Sequence, residues 1–229
     1  MGEVALSDHG GSEATFCHGI SLLLTRIDCR LATSVKEREA IFRLRYEAGM
    51  RDRTIYQRSS PNFSDYYDDA GNAYLLGLYI DDGLASSIRF HIGSKEQRRF
   101  PSLDLFPDSL KSELELGHVI IDCTRFVSDE HLSLLNRELP YATLRFCVLA
   151  AEHFKADYLI TAVSPAHQAF YRRAFNYRPA SEARLHPHLA TYVRLMTMDY
   201  KGAADALYRR YPFFRSTPGE RRKLFGYDS

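Results

Sequence analysis

Charged residues set inside strongly apolar strands are the feature that most constrains how this chain can fold. Between positions 63 and 129 the sequence reads FSDYYDD, AYLLGLYIDDGLASSIRFHI, FPSLDLFPD and VIIDCTRFVSD. An unpaired charge buried in such surroundings costs several kcal/mol, so each charge must either pair with an opposite charge or serve a function. We therefore expect the aspartates and arginines of this region to form a buried, paired network, and we expect the chemistry to lie there.

Length and composition are those of an ordinary globular protein. The chain has 229 residues, of which 45% are hydrophobic and 26% charged, so one main domain with one substantial core is the default. Lys and Arg number 30 against 29 Asp and Glu, which gives a formal net charge of +1. No global electrostatic field attracts nucleic acid, and any electrostatic docking must be local.

The cysteines and the apolar runs suggest a location. The four cysteines have neither metal-ligand nor disulfide-framework spacing, which favours a reducing cytoplasm. The N-terminus lacks the pattern of a signal peptide, and runs such as residues 73–80 are too short to span a bilayer. We expect no metal site and no integral membrane association.

The first half of the chain alternates between strand and helix patterns. Residues 1–18 are rich in Gly, Ser and acidic groups and are interpreted as a flexible tail, followed by a short strand at 20–27. Ser34 and Glu37 predict a capping box for a helix with Ile41, Leu44 and Ala48 on one stripe. Strands at 73–80 and 84–92, joined by Asp-Asp-Gly, predict an antiparallel hairpin whose glycine takes the positive φ.

The second half continues the alternation. It predicts strands at 119–127, 158–163 and 192–198, and helices at 140–154, 166–175 and 201–210. The order predicts an α/β layer around a mixed sheet. We assign residues 19–200 to one domain and residues 201–229 to a C-terminal helical extension of that domain, with no clear pattern beyond 210.

This order of elements resembles the GNAT acyltransferase fold, a mixed central sheet flanked by helices. The segment AHQAFYRRAF after Ser164-Pro165 resembles the family's FYxxxGF helix, with Ala174 where Gly is usual. Members that use coenzyme A carry a glycine-rich turn after the fourth strand, where backbone N–H groups bind pyrophosphate. Here that place reads RFVSDEHLSLLNRELP, without glycine. The difference favours a thioester donor held by other contacts, such as acyl carrier protein.

The resemblance is more specific across residues 38–129. The segments IFRLRYEAG, DYYDD, AYLLGLYIDDG with SSIRF, SLDLFPD and IDCTRFVSD match, in order, the motifs of long-chain N-acyl amino acid synthases and of LuxI-type acyl-homoserine lactone synthases. Asp122 stands where Glu is usual, Thr124 replaces Ser, and the chain has no Trp. These departures favour N-acyl amino acid synthesis over lactone synthesis.

The resemblance also implies the site residues. Catalytic roles fall on Asp122, Arg125 and Tyr171, and substrate-binding roles on Arg45, Tyr46, Asp65, Asp68, Arg89, Thr124 and Phe126. Asp65, Asp68, Arg89 and Arg125 would frame the acceptor pocket as a paired network. For Arg45 a solvated position on its helix is the alternative, and for Tyr171 packing in the core is the alternative to protonating the departing thiolate.

Asp122 is the candidate general base by motif. An ordinary Asp pKa of about 3.9 is too low for deprotonating an amine, so this role needs a raised pKa or an intervening water. The alternative is that Asp122 pairs with Arg125 or Arg89 and only shapes the site. Strict strand alternation places Asp122 and Thr124 on one face and Arg125 on the other, so they meet only if the strand is bulged.

The expected partners follow from the same resemblance. Lys155, Arg172 and Arg173 are predicted to dock an acidic carrier protein, with ordinary solvation as the alternative. His186, His188 and the other histidines have no metal-ligand spacing and are interpreted as structural or surface residues.

The expected activity is transfer of a fatty acyl group from acyl carrier protein to an amino acid. The phosphopantetheine thioester is then a substrate, and no separate cofactor is expected. The alternatives are an acyl-homoserine lactone synthase that uses S-adenosylmethionine, or a catalytically silent GNAT-like module that binds lipids.

Overall fold

The computed structural model describes residues 9–57 and 59–226. The strands are β1 (Ile27–Leu31), β2 (Ala73–Ile80), β3 (Gly83–Gly93), β4 (Ile120–Ser128), β5 (Tyr158–Val163), β6 (Arg178–Pro179), β7 (Arg184–Leu185) and β8 (Tyr192–Asp199). The helices are α1 (His9–Arg26), α2 (Val35–Arg51), α3 (Pro101–Leu105), α4 (Pro107–Glu115), α5 (Glu130–Leu135), α6 (Leu139–His153), α7 (Pro165–Phe175), α8 (Tyr200–Arg210) and α9 (Pro218–Phe225), with 3-10 helices at Tyr66–Asp69 and Pro212–Phe214.

The eight strands form one mixed sheet, as the sequence predicts. Their order is β1-β2-β3-β4-β5-β8-β6, with β7 paired to β8. All neighbouring strands are antiparallel except β4 and β5, which are parallel. The β4–β5 ladder joins Ile120–Asp122 to Tyr158–Ile160 and goes no further. Beyond Asp122 and Ile160 the two strands separate, which opens a gap in the sheet.

Helices cover both faces of the sheet. On one face α1, α6 and α7 pack into a large core that includes Ile121, Leu149 and Phe175. On the other face α3 and α4 pack against β4, β5 and β8 in a smaller core that includes Phe106 and Ile120. Because side chains alternate along a strand, Asp122 shares the face of Ile120 and is directed toward α3.

The helix α2 and the hairpin confirm the local predictions. The capping box of Ser34 and Glu37 is formed, and the predicted apolar stripe of α2 is buried. The hairpin is antiparallel, but the positive φ angles belong to Asp81 (49°) and Asp82 (63°), whereas Gly83 is the first residue of β3. A two-residue hairpin turn of this hand needs positive φ at both central positions, which Asp tolerates better than most residues.

The strand predicted at residues 20–27 is wrong, because α1 occupies this segment and the strand follows it. Burial there has the period of a helix: Ile20 and Leu23 are buried whereas Leu22 is 55% exposed. Of the predicted flexible tail, residues 1–8 lie outside the described residues and residues 9–18 belong to α1. Phe16 packs on Tyr141 of α6 with ring centroids 4.7 Å apart, which ties this helix to the core.

The C-terminal segment has more structure than its sequence pattern indicates. The predicted helix at 201–210 is confirmed as α8, and a 3-10 helix and α9 follow it. Arg145 of α6 holds these elements by donating to the carbonyl of Phe213 and to the carboxylate of Glu220. Residues 227–229 lie outside the described part of the chain. None of the described helices combines the length and the apolar character needed to cross a membrane.

Candidate active site

A cavity of about 500 Å³ lies where β4 and β5 separate. Its walls come from α2, the 3-10 helix at Tyr66–Asp69, α3, the second half of β4, the end of β5, α7 and the loop between β7 and β8. The volume is in the range of small-molecule sites, and the wall combines apolar side chains with a few convergent charged ones. The predicted acidic and arginine residues meet at this cavity.

Two aspartates are fixed in place by the backbone of the 3-10 helix. The Asp65 side chain accepts a hydrogen bond from the Tyr67 amide at 3.1 Å, and the Asp68 side chain accepts one from the Asp65 amide at 2.8 Å. This reciprocal capping explains why the DYYDD segment folds as it does. It orients both carboxylates toward the arginines before any substrate binds.

Three arginines from three elements bind these carboxylates. Arg89 of β3 donates to Asp65 at 2.5 Å and to Asp68 at 2.8 Å, Arg45 of α2 donates to Asp68 at 2.8 Å, and Arg125 of β4 donates to Asp65 at 2.7 Å. The predicted paired network is confirmed. Arg45 is 1% exposed, so the alternative of a solvated helix arginine is wrong.

A β-bulge brings Arg125 to the network, as strand alternation requires. Ser87 pairs with Val127 and Arg89 pairs with Thr124, so β4 has one residue more than β3 in this interval. Arg125 has a φ of 54°, a conformation that costs a non-glycine residue on the order of 1–3 kcal/mol. It therefore reaches the same face as Thr124, whose Oγ1 accepts from Arg89 Nε at 3.1 Å.

The network carries a net positive charge, because three guanidinium groups face two carboxylates. Burial alone would raise the pKa of Asp65, but Arg89 and Arg125 hold that pKa below its usual range. Arg45 and Arg89 likewise lower the pKa of Asp68 against the effect of burial. Burial lowers the pKa of Arg45 to about 10, which leaves it charged at neutral pH.

Asp122 occupies a different environment. It is fully buried and is not part of the cavity wall. Its Oδ1 accepts from the Ser102 hydroxyl at 2.7 Å, and its Oδ2 accepts from the Ser102 amide at 3.0 Å. Burial raises its pKa to about 6, although the bonds from Ser102 favour the ionised form. Within the described chain neither Arg89 nor Arg125 donates a hydrogen bond to Asp122, so the alternative pairing is wrong.

The other residues singled out by sequence lie in different places. Tyr171 and Phe126 line the cavity, and burial raises the pKa of Tyr171, whose hydroxyl lies beside Thr161. Tyr46 is half-buried and away from the wall. Lys155, Arg172 and Arg173 are exposed, with Lys155 just before β5, at the end of that strand opposite the cavity. The roles given to these residues stay predictions.

Sequence reasoning did not single out Asp104, although it lines the cavity. Asp104 Oδ2 accepts hydrogen bonds from the hydroxyls of Tyr66, at 3.1 Å, and of Tyr67. Among the described residues no basic side chain pairs with Asp104, whereas the nearby Asp52 pairs with Arg51 at 2.9 Å. The segment SLDLFPD marks the region, but α3 has only five residues and no periodicity to show where its side chains point.

The histidines of the loop between β7 and β8 also reach the site. His186 and His188 line the cavity, which the interpretation as structural or surface residues did not include. Burial, followed by the charge of Arg125, lowers the pKa of His186 to about 4, so its imidazole is neutral at neutral pH. In the described part of the chain no three His, Cys, Asp or Glu side chains are placed to hold a metal ion.

Comparisons with known proteins agree with this fold. The family model described as N-acyl amino acid synthase FeeM matches residues 40–199. The solved structure of FeeM, an N-acyl amino acid synthase from uncultured soil microbes, is similar with a TM-score of 0.68 and 15% identity, over 82% of this chain and 98% of that one. A search of curated proteins gives no match.

Acyl-homoserine lactone synthases have related structures. LasI is similar with a TM-score of 0.57 and 16% identity, over 75% of this chain and 88% of that one. BjaI, described as dependent on coenzyme A and solved with S-adenosylmethionine and isopentyl-CoA, is similar with a TM-score of 0.55 and 15% identity, over 76% of this chain and 81% of that one. Identities this low show the fold alone, and that fold is the GNAT-like one that the element order predicts.

Proposed function

The chain belongs to the FeeM family of N-acyl amino acid synthases and is an N-acyltransferase, and we propose that it transfers a fatty acyl group from acyl carrier protein to an amino acid. The observation that carries the proposal is the charge pattern of the cavity. A net positive arginine network lines the same cavity as Asp104, a carboxylate that has no basic partner among the described residues. An amino acid zwitterion matches both features.

The acceptor carboxylate has a suitable partner in Arg125. This residue donates to Asp65 through Nε and Nη2, is 10% exposed, and among the described residues has no hydrogen bond from Nη1. An arginine N–H donor that faces a cavity is well suited to a carboxylate. The acceptor's negative charge would also neutralise the excess charge of the network, which a simple amine cannot do.

The acceptor amine is placed by the same pattern. The Asp104 carboxylate accepts from two phenol hydroxyls, and it can attract the ammonium group of the incoming amino acid. Tyr66 and Tyr67 come from the element that also supplies Asp65, which fixes the acid relative to the arginine network. Asp104 and Arg125 would together select a molecule with an amine and a carboxylate.

The segment after β4 supports a carrier-protein donor. The side chain of Asp129 caps α5 by accepting from the Leu132 amide at 2.9 Å, and Glu130 follows it in the first turn. Carboxylates thus occupy the helix N-terminus where a pyrophosphate would otherwise bind, and they would repel it. The phosphopantetheine thioester of acyl carrier protein lacks that pyrophosphate. No cofactor of the protein's own is proposed.

Two further features of the proposal concern the carrier protein and the cellular location. Arg172 and Arg173 are exposed on α7, whose first turns line the cavity, and we assign to them the docking of an acidic carrier protein. Tyr171 on the same helix would protonate the departing thiolate. Cys29, Cys123 and Cys147 are thiols in the structure, which fits the proposed cytoplasmic location.

The test is a product analysis with purified protein. Acyl-ACP and acyl-CoA of the same chain length are each supplied with a panel of the twenty amino acids, and products are identified by mass spectrometry. We expect an N-acyl amino acid, with a higher kcat/KM for acyl-ACP. Absence of acylated product, or a strong preference for acyl-CoA, contradicts the proposal. Release of methylthioadenosine from S-adenosylmethionine would support lactone synthesis instead.

A further inference from the structure

We infer that Ser102 is a catalytic residue that relays the proton of the attacking amine to Asp122. This inference rests on the proposed reaction of an amine with a thioester. It assigns the relay to a residue of α3, and it explains how a carboxylate behind the cavity wall takes part in the chemistry.

The geometry of the two residues allows a proton to pass between them. Ser102 is on the cavity wall, and its hydroxyl donates to Asp122 Oδ1 at 2.7 Å. The Ser102 amide donates to the other carboxylate oxygen at 3.0 Å, which fixes the carboxylate relative to α3. Asp122 itself does not line the cavity. A proton released in the cavity therefore reaches Asp122 through Ser102.

The Ser102 hydroxyl is free to act as an acceptor. Among the described residues no group donates a hydrogen bond to its Oγ, so a lone pair remains for an N–H of the substrate. Ser102 is 1% exposed, so the amine would reach it only at the small part of the residue that borders the cavity. A hydroxyl that donates to a carboxylate and accepts from a substrate can pass on a proton without becoming charged itself.

Asp122 is suited to receive the proton because, among the described residues, no arginine or lysine donates a hydrogen bond to it. Burial raises its pKa to about 6, close to the working pH at which a general base is effective. Asp65 is the contrast, because Arg89 and Arg125 bind it and lower its pKa. Protonation of Asp65 would leave Arg125 without its carboxylate and Arg89 with Asp68 alone, whereas protonation of Asp122 relieves the cost of a buried charge.

The step balances as follows. The acceptor ammonium group first releases one proton to solvent, and the neutral amine nitrogen then attacks the thioester carbonyl carbon. A second proton moves from this nitrogen to Ser102 Oγ while the Ser102 hydroxyl proton moves to Asp122 Oδ1. The tetrahedral intermediate then breaks its C–S bond, and the thiolate takes a proton from the Tyr171 hydroxyl. Asp122 returns its proton to solvent and Tyr171 regains one, so the products are an amide and a thiol.

The test compares Ser102→Ala with Ser102→Thr and with the control Ser109→Ala. Ser109 is also a helix serine whose hydroxyl is bonded, to the Ala180 carbonyl at 3.0 Å, but it lies outside the cavity. Ser102→Ala keeps the backbone N–H that binds Asp122, so the fold should be retained. Single-turnover rates are measured against pH with acyl-ACP and the best acceptor of the amino acid panel, and repeated in mixtures of H₂O and D₂O.

We expect Ser102→Ala to lower the rate by about 10²-fold or more. KM for the acceptor should change less than about threefold, and Ser102→Thr should restore much of the rate. A plot of the wild-type rate against the deuterium fraction should be curved, as expected when two protons move in the rate-limiting step. Ser102→Ala should lose this curvature, and it should also lose the decrease in rate at acidic pH.

Three results would overturn the relay. They are a near-native rate for Ser102→Ala, an unchanged pH profile and deuterium dependence in whatever activity remains, or an equal loss in Ser109→Ala. Turnover by the wild type together with any of these refutes the relay alone. Absence of turnover by the wild type with every donor and amino acid refutes the proposed function and the relay together.

Discussion

The Asp65–Asp68 region and the Asp122 region both bury carboxylates beside β3 and β4, yet their electrostatics are opposite. Three arginines surround Asp65 and Asp68 and lower their pKa values. Among the described residues Asp122 accepts hydrogen bonds only from the neutral donors of Ser102, and burial raises its pKa to about 6. Its partner across the sheet is His91, whose own pKa is lowered to about 4 by burial, and the charge of Arg89 offsets only part of the effect of burial on Asp122. Burial alone therefore does not define a carboxylate's role; the nearest cation does.

The largest effect should come from removing the arginine that joins the two aspartates. Arg89→Met leaves Asp65 and Asp68 short of a partner in a buried site, and breaking such a pair typically costs about 3–5 kcal/mol. At about 2–4 °C per kcal/mol for a chain of this size, calorimetry should show a Tm lower by roughly 6–20 °C. The exposed pair Arg26–Asp81 provides the control, and Arg26→Ala should melt like the wild type. Equal melting of the two variants would refute the structural role of the network.

Asp122→Asn should have the opposite effect, a large loss of activity with little loss of stability. The amide keeps the size of the side chain and can still bond both the hydroxyl and the amide of Ser102, but it cannot accept a proton. We expect kcat to fall by about 10²–10⁴ with little change in Tm. Single-turnover kinetics and calorimetry on the same preparation check this. A Tm as low as that of Arg89→Met, or near-native turnover, would make Asp122 a structural residue.

The pH dependence of stability should also separate the two regions. The folded-state pKa of Asp122 is raised, so its ionisation opposes folding, and this cost disappears as the pH falls from above 6 toward 4. Asp65 has a lowered pKa, so its contribution is present above about 4 and is lost as the pH falls through its folded pKa. The stability of the wild type relative to Asp122→Asn should therefore rise on acidification from pH 7 to pH 4. Parallel Tm curves for the two proteins would contradict this.

A smaller effect is expected from Asp104, the residue proposed to bind the ammonium group of the amino acid. Asp104→Asn removes the charge that attracts the ammonium group, so KM for the amino acid should rise roughly tenfold, the equivalent of about 1.4 kcal/mol. The matched 2-hydroxy acid, which has no ammonium group, should inhibit both proteins equally. Asp82→Asn in the exposed hairpin turn is the control. Equal KM values for wild type and Asp104→Asn would remove the residue from acceptor recognition.

The smallest effect concerns docking. Reversal of charge in Arg172→Glu with Arg173→Glu should raise KM for acyl-ACP several-fold at low salt, and the difference should fade as salt increases. Lys155→Glu, at the third predicted docking residue, should raise KM less, because Lys155 precedes β5 at the end of the strand opposite the cavity. If the double variant has an unchanged KM across a salt series, Arg172 and Arg173 are ordinary solvated residues.

Much of the fold could be predicted from the sequence because its signals are local. The capping box of Ser34, the Asp-Asp-Gly turn and the apolar strands each act within a few residues, and the paired network follows from the cost of buried charge. The sequence does not predict the N-terminal helix, because the short apolar run at 20–27 is compatible with both the helix period and the strand period. Only the surface against which it packs distinguishes the two. Ser102 and Asp104 were missed because α3 is short and its contacts with β4 and the 3-10 helix are long-range.

The bulge in β4 makes the length of that strand part of the chemistry. Deleting Phe126 would remove the bulge and restore regular alternation, so Arg125 would face the opposite side of β4 from Thr124, while Val127 and Ser128 would keep their partners on β3. The guanidinium of Arg125 would turn toward the apolar packing of α6, and Asp65 would lose one of its two arginines. Substitutions in this stretch alter one contact at a time, whereas this single deletion moves a charged side chain from one surface of the strand to the other. Relatives with a functional site of this kind should therefore vary in residue type here but keep the same spacing.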